Sequence, residues 1–509
     1  MSVVRRARRL GLLSFVTGTL VGCFDPDPAG GESQGTGGTA PDPSASSDPS
    51  ADATGPVPTS GGSQSSAASD ATSVTTGASD TQDPSATGFL FDVGGVETDG
   101  ETDGPPPPGG PGSCRASEAY GAAGGFPAYD DPAYASFDST VLLMTNNAFG
   151  GGSILRVFDI SGPAPPPNMN YYAPMYVHPS WTAANVGGAV FGLTLDSDGN
   201  AYLASTTVYG NTTTPGTIYR VDAITAAISV FAELPNNGPG IGNINYDCHS
   251  ETIYASNHED GRIYQIEMDG SIRSTYRHST GSVTIGPAND PGEPNGVFSD
   301  LGDRVWAVQS HAGRLYYSVW NEDSGRQSAV LENEIWSVAY VDDEGIPDAA
   351  TAELEATVPG LNGNTYSNPV SDISFAATGW MLAAERTMTG DSQTLAHQST
   401  TYEFQQIGGI WQVQGTTYVV GELPNSSAGG VDHDFEEGGY VWMTGDALDF
   451  YTPDVVYGVQ GTPYGGGDIT NSTLIDHDAE IVGQDKTAQG DVELPIPGDA
   501  SPPPPPPEG

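Results

Sequence analysis

The sequence predicts an all-β protein, a β-propeller of four-stranded blades that follows a disordered N-terminal tether. Three observations support this prediction. Short alternating strands, separated by Gly, Asn and Asp turns, fill the chain from about residue 114 to residue 483. One strand type recurs six times within that region. Gly (68 residues) and Pro (41 residues) are abundant among the 509 residues, which is typical of a turn-rich β protein with linkers.

The N-terminus carries a basic stretch followed by a short apolar stretch. Arginines at positions 5, 6, 8 and 9 precede a 13-residue apolar stretch at 10–22, which is too short to span a bilayer as a helix. The apolar stretch ends in Leu20-Val21-Gly22-Cys23, which resembles a bacterial lipobox. The resemblance implies that residues 1–22 are a signal peptide and that Cys23 is lipidated. An ordinary secretory signal that happens to end in Cys is the alternative.

This N-terminus predicts a protein of the bacterial cell envelope that is held by its lipid. No later stretch is apolar over 18 residues, so no transmembrane helix is expected. Phe24 stands after Cys23, where Asp would favour retention at the inner membrane, and this favours the outer membrane or the cell surface. Cys114 and Cys248 are left as an even pair for a disulfide, with two unpaired thiols as the alternative.

The charge of the chain excludes several classes of partner. The sequence has 15 Lys and Arg residues against 64 Asp and Glu residues, a net charge of −49 that becomes −53 once the four signal-peptide arginines are removed. Such a chain repels nucleic acids and anionic membranes, so we expect no nucleic-acid partner and membrane contact through the lipid alone. A Walker phosphate loop and an HExxH motif are also absent from the sequence.

Residues 23–113 and 484–509 have the composition of disordered segments. The first segment is rich in Ser, Thr, Gly, Ala, Pro and Asp and has no Lys or Arg, so it is expected to tether the folded domain to the membrane. Its apolar island Phe89-Leu90-Phe91-Asp92-Val93 is interpreted either as packing on the domain's own surface or as docking on a partner or export factor. The C-terminal segment contains a run of six prolines. The propeller is therefore assigned to residues 114–483.

The recurring strand reads Thr-Ile-Tyr-Arg-Val-Asp at 217–222 and Arg-Ile-Tyr-Gln-Ile-Glu at 262–267. Four further copies lie at 153–159, 334–340, 401–406 and 455–460. An apolar strand precedes each copy, at 141–145, 200–205, 252–256, 315–319, 380–384 and 440–444. Candidate inner strands come before five of these, at 192–195, 242–246, 305–309, 371–375 and 430–434. Hairpin order at this spacing predicts propeller blades, with six favoured and seven allowed.

Ring closure requires an inner strand for the first blade, which has no candidate before residue 141. A spare strand at 473–481 follows the sixth copy, and we expect it to complete the first blade. Residues 487–509 should then be dispensable for folding. Large aromatic residues assigned to middle strands, such as Tyr202, Trp306 and Trp442, are expected to pack between blades, with a sugar-binding platform as the alternative.

The succession Gly-Leu-Thr-Leu-Asp-Ser-Asp-Gly-Asn-Ala-Tyr-Leu-Ala-Ser at 192–205, followed by Gly-Thr-Ile-Tyr-Arg-Val-Asp at 216–222, is similar to a blade of the NHL and gluconolactonase-like six-bladed β-propellers. The resemblance covers about residues 134–481 and implies a six-bladed ring. For the gluconolactonase-like enzymes it further implies a calcium ion in the central tunnel, held by Glu, Asn and Asp side chains. A resemblance of fold does not transfer an activity.

The motif Asp-His-Asp occurs twice, 44 residues apart. Strand alternation places Asp432 and Asp434 on one face of the first segment, and Asp476 and Asp478 on one face of the second. If both segments are inner strands, four carboxylates meet in the channel and repel unless a cation compensates, and calcium is the candidate cofactor. The alternative interpretation is that all four are exposed turn acids.

Two further motifs have structural and functional interpretations. The segment Asp-Ser-Asp-Gly-Asn at 196–200 resembles part of a calcium loop, but a turn with Gly199 at positive φ is favoured. The adjacent charges of Glu385 and Arg386 indicate either a ligand rim or an ion pair between blades.

Three classes of function remain. The first is a binding module, a surface lipoprotein whose propeller face engages a protein, a glycan or a small molecule. The second is a calcium-dependent hydrolase of lactone or ester type that works from the tunnel, and the third is a structural envelope protein. No nucleophile and base pair is recognisable in the sequence, which favours the binding module.

Overall fold

The computed structural model describes residues 125–137, 140–148, 152–161, 170–171, 173–323, 331–359, 366–375, 379–415, 418–434, 439–450, 455–477 and 487–495. The regular structure of these residues is almost entirely β, with 28 strands and a 3-10 helix at Ala349–Thr351. Within the same residues, no helix has the length and hydropathy that crossing a membrane requires.

The strands are short, as the spacing of the turns predicts. The first half of the described chain contains β1 (Val141–Ala148), β2 (Leu155–Asp159), β3 (Asn170–Tyr171), β4 (Met175–Tyr176), β5 (Val190–Leu195), β6 (Ala201–Ser205), β7 (Thr217–Val221), β8 (Ile228–Glu233), β9 (Ile241–Asp247), β10 (Thr252–Asn257), β11 (Arg262–Glu267), β12 (Ile272–Arg277), β13 (Ser282–Ile285) and β14 (Arg304–His311). The second half contains β15 (Arg314–Trp320), β16 (Glu334–Ala339), β17 (Glu353–Thr357), β18 (Val370–Phe375), β19 (Met381–Glu385), β20 (Met388–Gly390), β21 (Gln393–Thr394), β22 (Thr401–Ile407), β23 (Ile410–Val413), β24 (Ser427–His433), β25 (Tyr440–Asp449), β26 (Val456–Pro463), β27 (Thr473–Asp476) and β28 (Thr487–Glu493).

These strands form six blades in a ring, which confirms the predicted fold class. From the inner strand outwards, blades 1 to 6 are β28-β1-β2-β4, β5-β6-β7-β8, β9-β10-β11-β12-β13, β14-β15-β16-β17, β18-β19-β22-β23 and β24-β25-β26-β27-β3. The inner strands β28, β5, β9, β14, β18 and β24 adjoin one another in this order around a central channel. Each inner strand runs antiparallel to the second strand of its blade. Residues near the starts of β5, β14 and β28 share one buried cluster, so these inner strands begin at the same end of the channel.

The six copies of the recurring strand are the third strands of the six blades, namely β2, β7, β11, β16, β22 and β26. Their apolar residues pack between blades, because both faces of a blade inside a ring must be covered. Between blades 2 and 3, for example, Ile218 and Tyr202 of one blade belong to the same buried cluster as Ile244 and Ile253 of the next. The alternation seen in the sequence therefore reports packing between blades.

The predicted closure of the ring is wrong in its choice of strand. β27 pairs with β26 and lies on the outer side of blade 6, so the segment 473–481 does not complete blade 1. The inner strand of blade 1 is β28, which pairs antiparallel with β1, for instance Met144 opposite Val492 and Asn146 opposite Gln489. The folded domain thus extends beyond residue 483, into the segment that the sequence assigned to a disordered tail.

A second strand exchange joins the same two blades on the outside of the ring. β3, from the connection that follows β2 of blade 1, pairs in parallel with β27 of blade 6, with Asn170 opposite Leu474 and Tyr171 opposite Ile475. Blades 1 and 6 are therefore connected both at the inner edge of the ring, through β28, and at its outer edge, through β3. Parallel pairing of two residues is weak alone, so the inner exchange through β28 is expected to be the main closure.

Hydroxyl groups interlock successive inner strands. In four blades, a Ser or Thr on the second strand accepts a backbone N–H from the inner strand of its own blade and donates to a carbonyl of the next inner strand. The four residues are Thr145, Ser256, Ser318 and Thr444. Each inner strand has a register irregularity beside its second strand, which leaves backbone groups unpaired. The hydroxyls satisfy these groups inside the ring.

Candidate functional site

Three aspartates on inner strands connect neighbouring blades along the central channel. The free edge of an inner strand presents backbone N–H groups that no further strand can pair. In Asp372, Asp432 and Asp491, one carboxyl oxygen accepts the N–H of the following residue at 2.8, 2.8 and 3.0 Å. The other oxygen accepts an N–H from the next inner strand or its end, at 2.8, 2.8 and 3.0 Å, from Val431, Leu494 and Leu193.

Two of these carboxyl groups, Asp372 and Asp491, are near enough for the charge of one to affect the ionisation of the other. Like charges repel, so ionisation of one carboxyl disfavours ionisation of the other. Burial raises the pKa of both carboxyls above the usual range of an aspartate, and the neighbouring charge of Asp372 raises that of Asp491 further. The Nδ2 of Asn243 also donates to Oδ1 of Asp372 at 3.0 Å.

Glu493 completes a group of four buried channel carboxyls, Asp372, Asp432, Asp491 and Glu493, which we call the carboxyl cluster. Burial raises the pKa of Asp432 to about 7, although backbone N–H groups and the hydroxyl of Ser374, at 2.9 Å, oppose the shift. Burial also raises the pKa of Glu493, and the other three carboxylates raise it further. Some of the carboxyls in this cluster are therefore protonated near neutral pH.

The raised pKa of Asp432 gives a pH-dependent prediction for Asp432→Asn. A carboxyl with a pKa of about 4 in the unfolded chain and about 7 in the fold stabilises the native state fully below pH 4, and this contribution is lost as the pH rises through 7. Asn cannot ionise. The unfolding free energy of the variant relative to the wild type should therefore increase with pH between about 4 and 7, by up to about 1.4 kcal/mol per pH unit.

Urea unfolding at several pH values measures this difference. Glu233→Gln serves as the control because Glu233 is exposed on the outer strand β8, and its difference from the wild type should show no such increase. A difference for Asp432→Asn that stays constant with pH would contradict a protonated, buried Asp432.

At the end of the channel where the inner strands begin, aromatic side chains replace the carboxyls. They form a buried group, called here the aromatic cluster, of Phe191, Val208, Tyr209, Trp306, Trp320, Met388 and Ala488. The ring of Tyr209 stacks on Phe191, with centroids 5.4 Å apart and planes at 7°. Its hydroxyl donates to the carbonyl of Ala428 at 3.1 Å. Tyr209 follows β6 of blade 2 and Ala428 lies in β24 of blade 6, so this side chain crosses the channel.

Trp306 differs from its predicted place. Trp306 is predicted to lie on a middle strand and to pack between two blades. It lies instead on the inner strand β14, and its indole belongs to the aromatic cluster. Its ring is 5.8 Å from that of Phe191, which comes from blade 2. The sequence pattern missed this because an inner strand next to the axis can also carry a large residue when the channel is filled.

Arg386 follows β19 and is buried beside the aromatic cluster. Its Nη2 lies 2.8 Å from Oδ2 of Asp446 in blade 6, and its guanidinium carbon lies 5.0 Å from the ring centroid of Tyr209. Burial alone would lower the pKa of Arg386, but the attractions to Asp446 and Tyr209 outweigh burial and raise it, so the side chain stays cationic. The interpretation as an ion pair between blades is confirmed for Arg386.

Several N–H donors near this end of the channel have no acceptor among the described residues. They are Nε and Nη1 of Arg386, Nε1 of Trp306 and Nε2 of Gln489, all in fully buried side chains. Asp446 connects two of these residues, because it pairs with Arg386 and also accepts the backbone N–H of Gln489 at 3.0 Å. Buried donors without acceptors are costly, so this end of the channel is suited to a molecule with acceptor oxygens.

The predicted four-carboxylate site does not form, because β25 and β26 separate β24 from β27. Asp432 lies in the channel as predicted, but Asp476 lies on β27, on the outer side of blade 6. Asp434 accepts the N–H of Tyr440 at 2.8 Å, and Asp478 lies outside the described residues. Among the described residues, no group of three His, Cys, Asp or Glu side chains is arranged to hold a metal ion. Calcium binding by this chain stays a prediction.

Two other sequence predictions concern single positions. The segment 196–200 is a turn, with Gly199 at a φ of +83° and Oδ1 of Asp196 accepting the N–H groups of Asp198 and Asn200. Cys248 is disulfide-bonded. Cys23 and Cys114 both lie outside the described residues, so the pairing with Cys114 and the lipidation of Cys23 stay predictions.

Sequence reasoning missed Asp372, Asp491 and Tyr209. The two aspartates carry a signal that is visible only once the inner strands are aligned, an Asp followed by an apolar residue in both β18 and β28. Tyr209 lies in a loop, Thr-Thr-Val-Tyr-Gly at 206–210, and nothing in its pattern indicates that it reaches the channel.

No protein-family model and no curated protein matches this sequence. Among solved structures, the chain is similar to a protein of unknown function from Bacteroides caccae, with 10% identity over 70% of this chain and 99% of that one, and a TM-score of 0.38. It is similar to a putative 6-phosphogluconolactonase from Bacteroides uniformis, with 13% identity over 70% and 99% of the two chains and a TM-score of 0.32. A crystal structure of a nidogen/laminin complex matches with 11% identity over 70% and 98%, and a TM-score of 0.37. Similarities this low carry no argument about activity.

Proposed function

We propose that this chain is an exported, lipid-anchored binding protein that takes up a ligand in the central channel of its propeller. The observation that carries the proposal is the concentration of buried ionisable side chains around the axis. The carboxyl cluster occupies one part of the channel. The ion pair of Arg386 and Asp446 lies in another part, beside the aromatic cluster.

Buried ionisable groups are costly for a fold, since each loses its hydration. Between blades 2 and 3 and between blades 4 and 5, buried apolar clusters fill the interface. Perturbed ionisable groups that collect in one place are typical of functional sites. The collection of four carboxyls from three inner strands therefore supports a ligand site in the channel.

The N-terminal part of the chain supplies the setting of the proposal. Residues 1–22 would direct export, Cys23 would carry the lipid, and residues 24–113 would hold the propeller away from the outer membrane or cell surface. Metabolic labelling with a radioactive fatty acid tests this anchor, because the label should appear in the wild type and be absent from Cys23→Ala.

A second candidate function, hydrolysis of a lactone or an ester, is favoured by the raised pKa values of the neighbouring carboxyls Asp372 and Asp491. Two carboxyls with one proton can serve as an acid and a base. Both groups, however, already accept backbone N–H groups of neighbouring inner strands, and this fits a role in holding the ring together. Binding therefore remains the first proposal.

Hydrogen exchange of the full chain tests the location of the site. The chain is incubated with small carboxylates, phosphates and sugars, and any compound that raises the melting temperature is then examined for amide protection. We expect protection at the starts of β5 and β24, and recovery of the compound unchanged. Protection confined to outer strands such as β8 would contradict the proposal, and conversion of the compound would favour the hydrolase.

Val230→Asp is the matched control for that experiment. Val230 lies on the outer strand β8 and is 57% exposed, so the substitution alters the outer surface without touching the channel. Binding in the channel should be unchanged in this variant, whereas a ligand of the outer surface would lose affinity.

A further inference from the structure

Tyr209 lies at the end of the channel where the inner strands begin and contacts its own blade 2 and two others, blades 5 and 6. Its ring stacks on Phe191 of the inner strand of blade 2, and its hydroxyl donates to Ala428 of blade 6. The guanidinium of Arg386, from blade 5, lies over its ring at 5.0 Å. Burial raises the pKa of Tyr209, so the side chain is a neutral phenol. A loop residue thus occupies the space between a buried cation and an aromatic wall.

The contacts of Tyr209 leave Arg386 incompletely satisfied. The ring face attracts the cation, but Nε and Nη1 of Arg386 have no hydrogen-bond acceptor within the described part of the chain. The indole N–H of Trp306, whose ring contacts Phe191, has none there either. A planar group with a carboxylate would satisfy one of the free guanidinium donors, because a carboxylate oxygen accepts a strong, charge-assisted hydrogen bond from a guanidinium N–H.

The loop that carries Tyr209 is held at Thr207, whose N–H and hydroxyl donate to the carbonyl of Pro239, but it has open space beside Tyr209, at Gly210. Gly210, the next residue, has a φ of +145°, and no atom lies within 4 Å of the position that a Cβ would occupy there. The loop lies between β6 and β7, at the end of the channel where the inner strands begin. A rotation of the backbone at Gly210 could therefore withdraw the ring without a clash at that residue.

We propose that Tyr209 is a displaceable plug, and that the ligand which replaces it is an aromatic carboxylate. The ring of the ligand takes the place of the phenol against Phe191, and its carboxylate accepts a charge-assisted hydrogen bond from a free N–H of the Arg386 guanidinium. This inference rests on the proposed function, since it names the ligand class of the same channel site.

Calorimetric titration of the full chain with benzoate, 4-methylphenol and acetate tests the proposal in the wild type and in Tyr209→Ala. Removal of the plug should raise the affinity for benzoate at least about tenfold, because the ligand no longer competes with the resident ring. In Tyr209→Ala, benzoate should bind more tightly than 4-methylphenol, which fills the same space without a carboxylate, and acetate should bind most weakly. If 4-methylphenol binds Tyr209→Ala as tightly as benzoate or more tightly, the gain in affinity comes only from filling the cavity that the substitution creates. That result would overturn the proposal.

Tyr209→Phe keeps the experiment decisive if Tyr209→Ala fails to fold. This variant keeps the stacked ring and loses the hydrogen bond to Ala428, so the plug should open more easily and benzoate affinity should rise severalfold. An unchanged affinity would overturn the proposal. A different ligand that protects the starts of β5 and β24 would leave the proposed function intact while this inference fails.

A matched pair of tryptophan variants tests the contribution of the indole N–H. Trp306→Phe removes an unpaired N–H within the aromatic cluster and should weaken benzoate binding severalfold. Trp442→Phe removes an equally buried, unpaired N–H between blades 6 and 1 and should leave the affinity unchanged. Equal losses in the two variants would indicate a general effect on packing and contradict the site.

Discussion

A chain that ends at Lys486 is expected to lose its cooperative unfolding transition. The missing β28 is the inner strand of blade 1, and all seven of its residues are buried. Its removal breaks the ladder with β1, the bonds of Asp491 to Leu193 and of Leu494 to Asp432, and the contact of Val492 in the core. Each buried backbone hydrogen bond contributes about 1 kcal/mol, so the sum is comparable with a total stability of about 5–15 kcal/mol.

Circular dichroism and scanning calorimetry of the truncated chain measure this loss. The control is a chain that ends at Pro495, which keeps β28 and removes the proline-rich end. It should unfold cooperatively at the wild-type temperature. A cooperative transition in the chain that ends at Lys486 would show that β3, on the outer side of blade 6, closes the ring alone.

The contrast between β28 and the other strands shows how much of the fold the sequence could predict. The third strands, such as β7 and β11, were found because their alternate residues are apolar and pack between blades. β28 reads Thr-Ala-Gln-Gly-Asp-Val-Glu and has no such alternation. Its polar residues are satisfied by partners far away in the chain, as when Asn146 donates to Oε1 of Gln489 at 2.9 Å. A strand with this composition is recognisable only after its neighbours are known.

The candidate site was predictable to a smaller extent. Asp432 was found because an Asp-His-Asp motif occurs twice, but the repeat misled, since the second copy lies on an outer strand. The carboxyl cluster instead combines three inner strands from blades 5, 6 and 1, whose residues are as much as 121 positions apart, from Asp372 to Glu493. Spacing in the sequence carries no signal over such a separation unless the register of the whole ring is known.

Arg386→Met is expected to lower the free energy of unfolding by about 3–5 kcal/mol, because it leaves a buried carboxylate without its counterion. The two side chains are 1% and 4% exposed, and their atoms are 2.8 Å apart. Met has a similar length and fills most of the space, so the loss reports the charge of Asp446 more than a cavity. The midpoint of urea unfolding, at an unchanged slope, measures the effect.

The double variant Arg386→Met with Asp446→Asn separates the stranded charge from the rest of the interaction. Asn retains an oxygen for the N–H of Gln489, which Asp446 accepts at 3.0 Å in the wild type, but it carries no charge. More than half of the lost stability should therefore return. Arg220→Met is the control for an exposed pair, since Arg220 and Asp222 lie 3.6 Å apart with side chains 41% and 38% exposed, and it should cost less than about 1 kcal/mol. If Arg386→Met costs no more than Arg220→Met, the Arg386 pair is hydrated in solution, and the channel end beside Tyr209 is open to water.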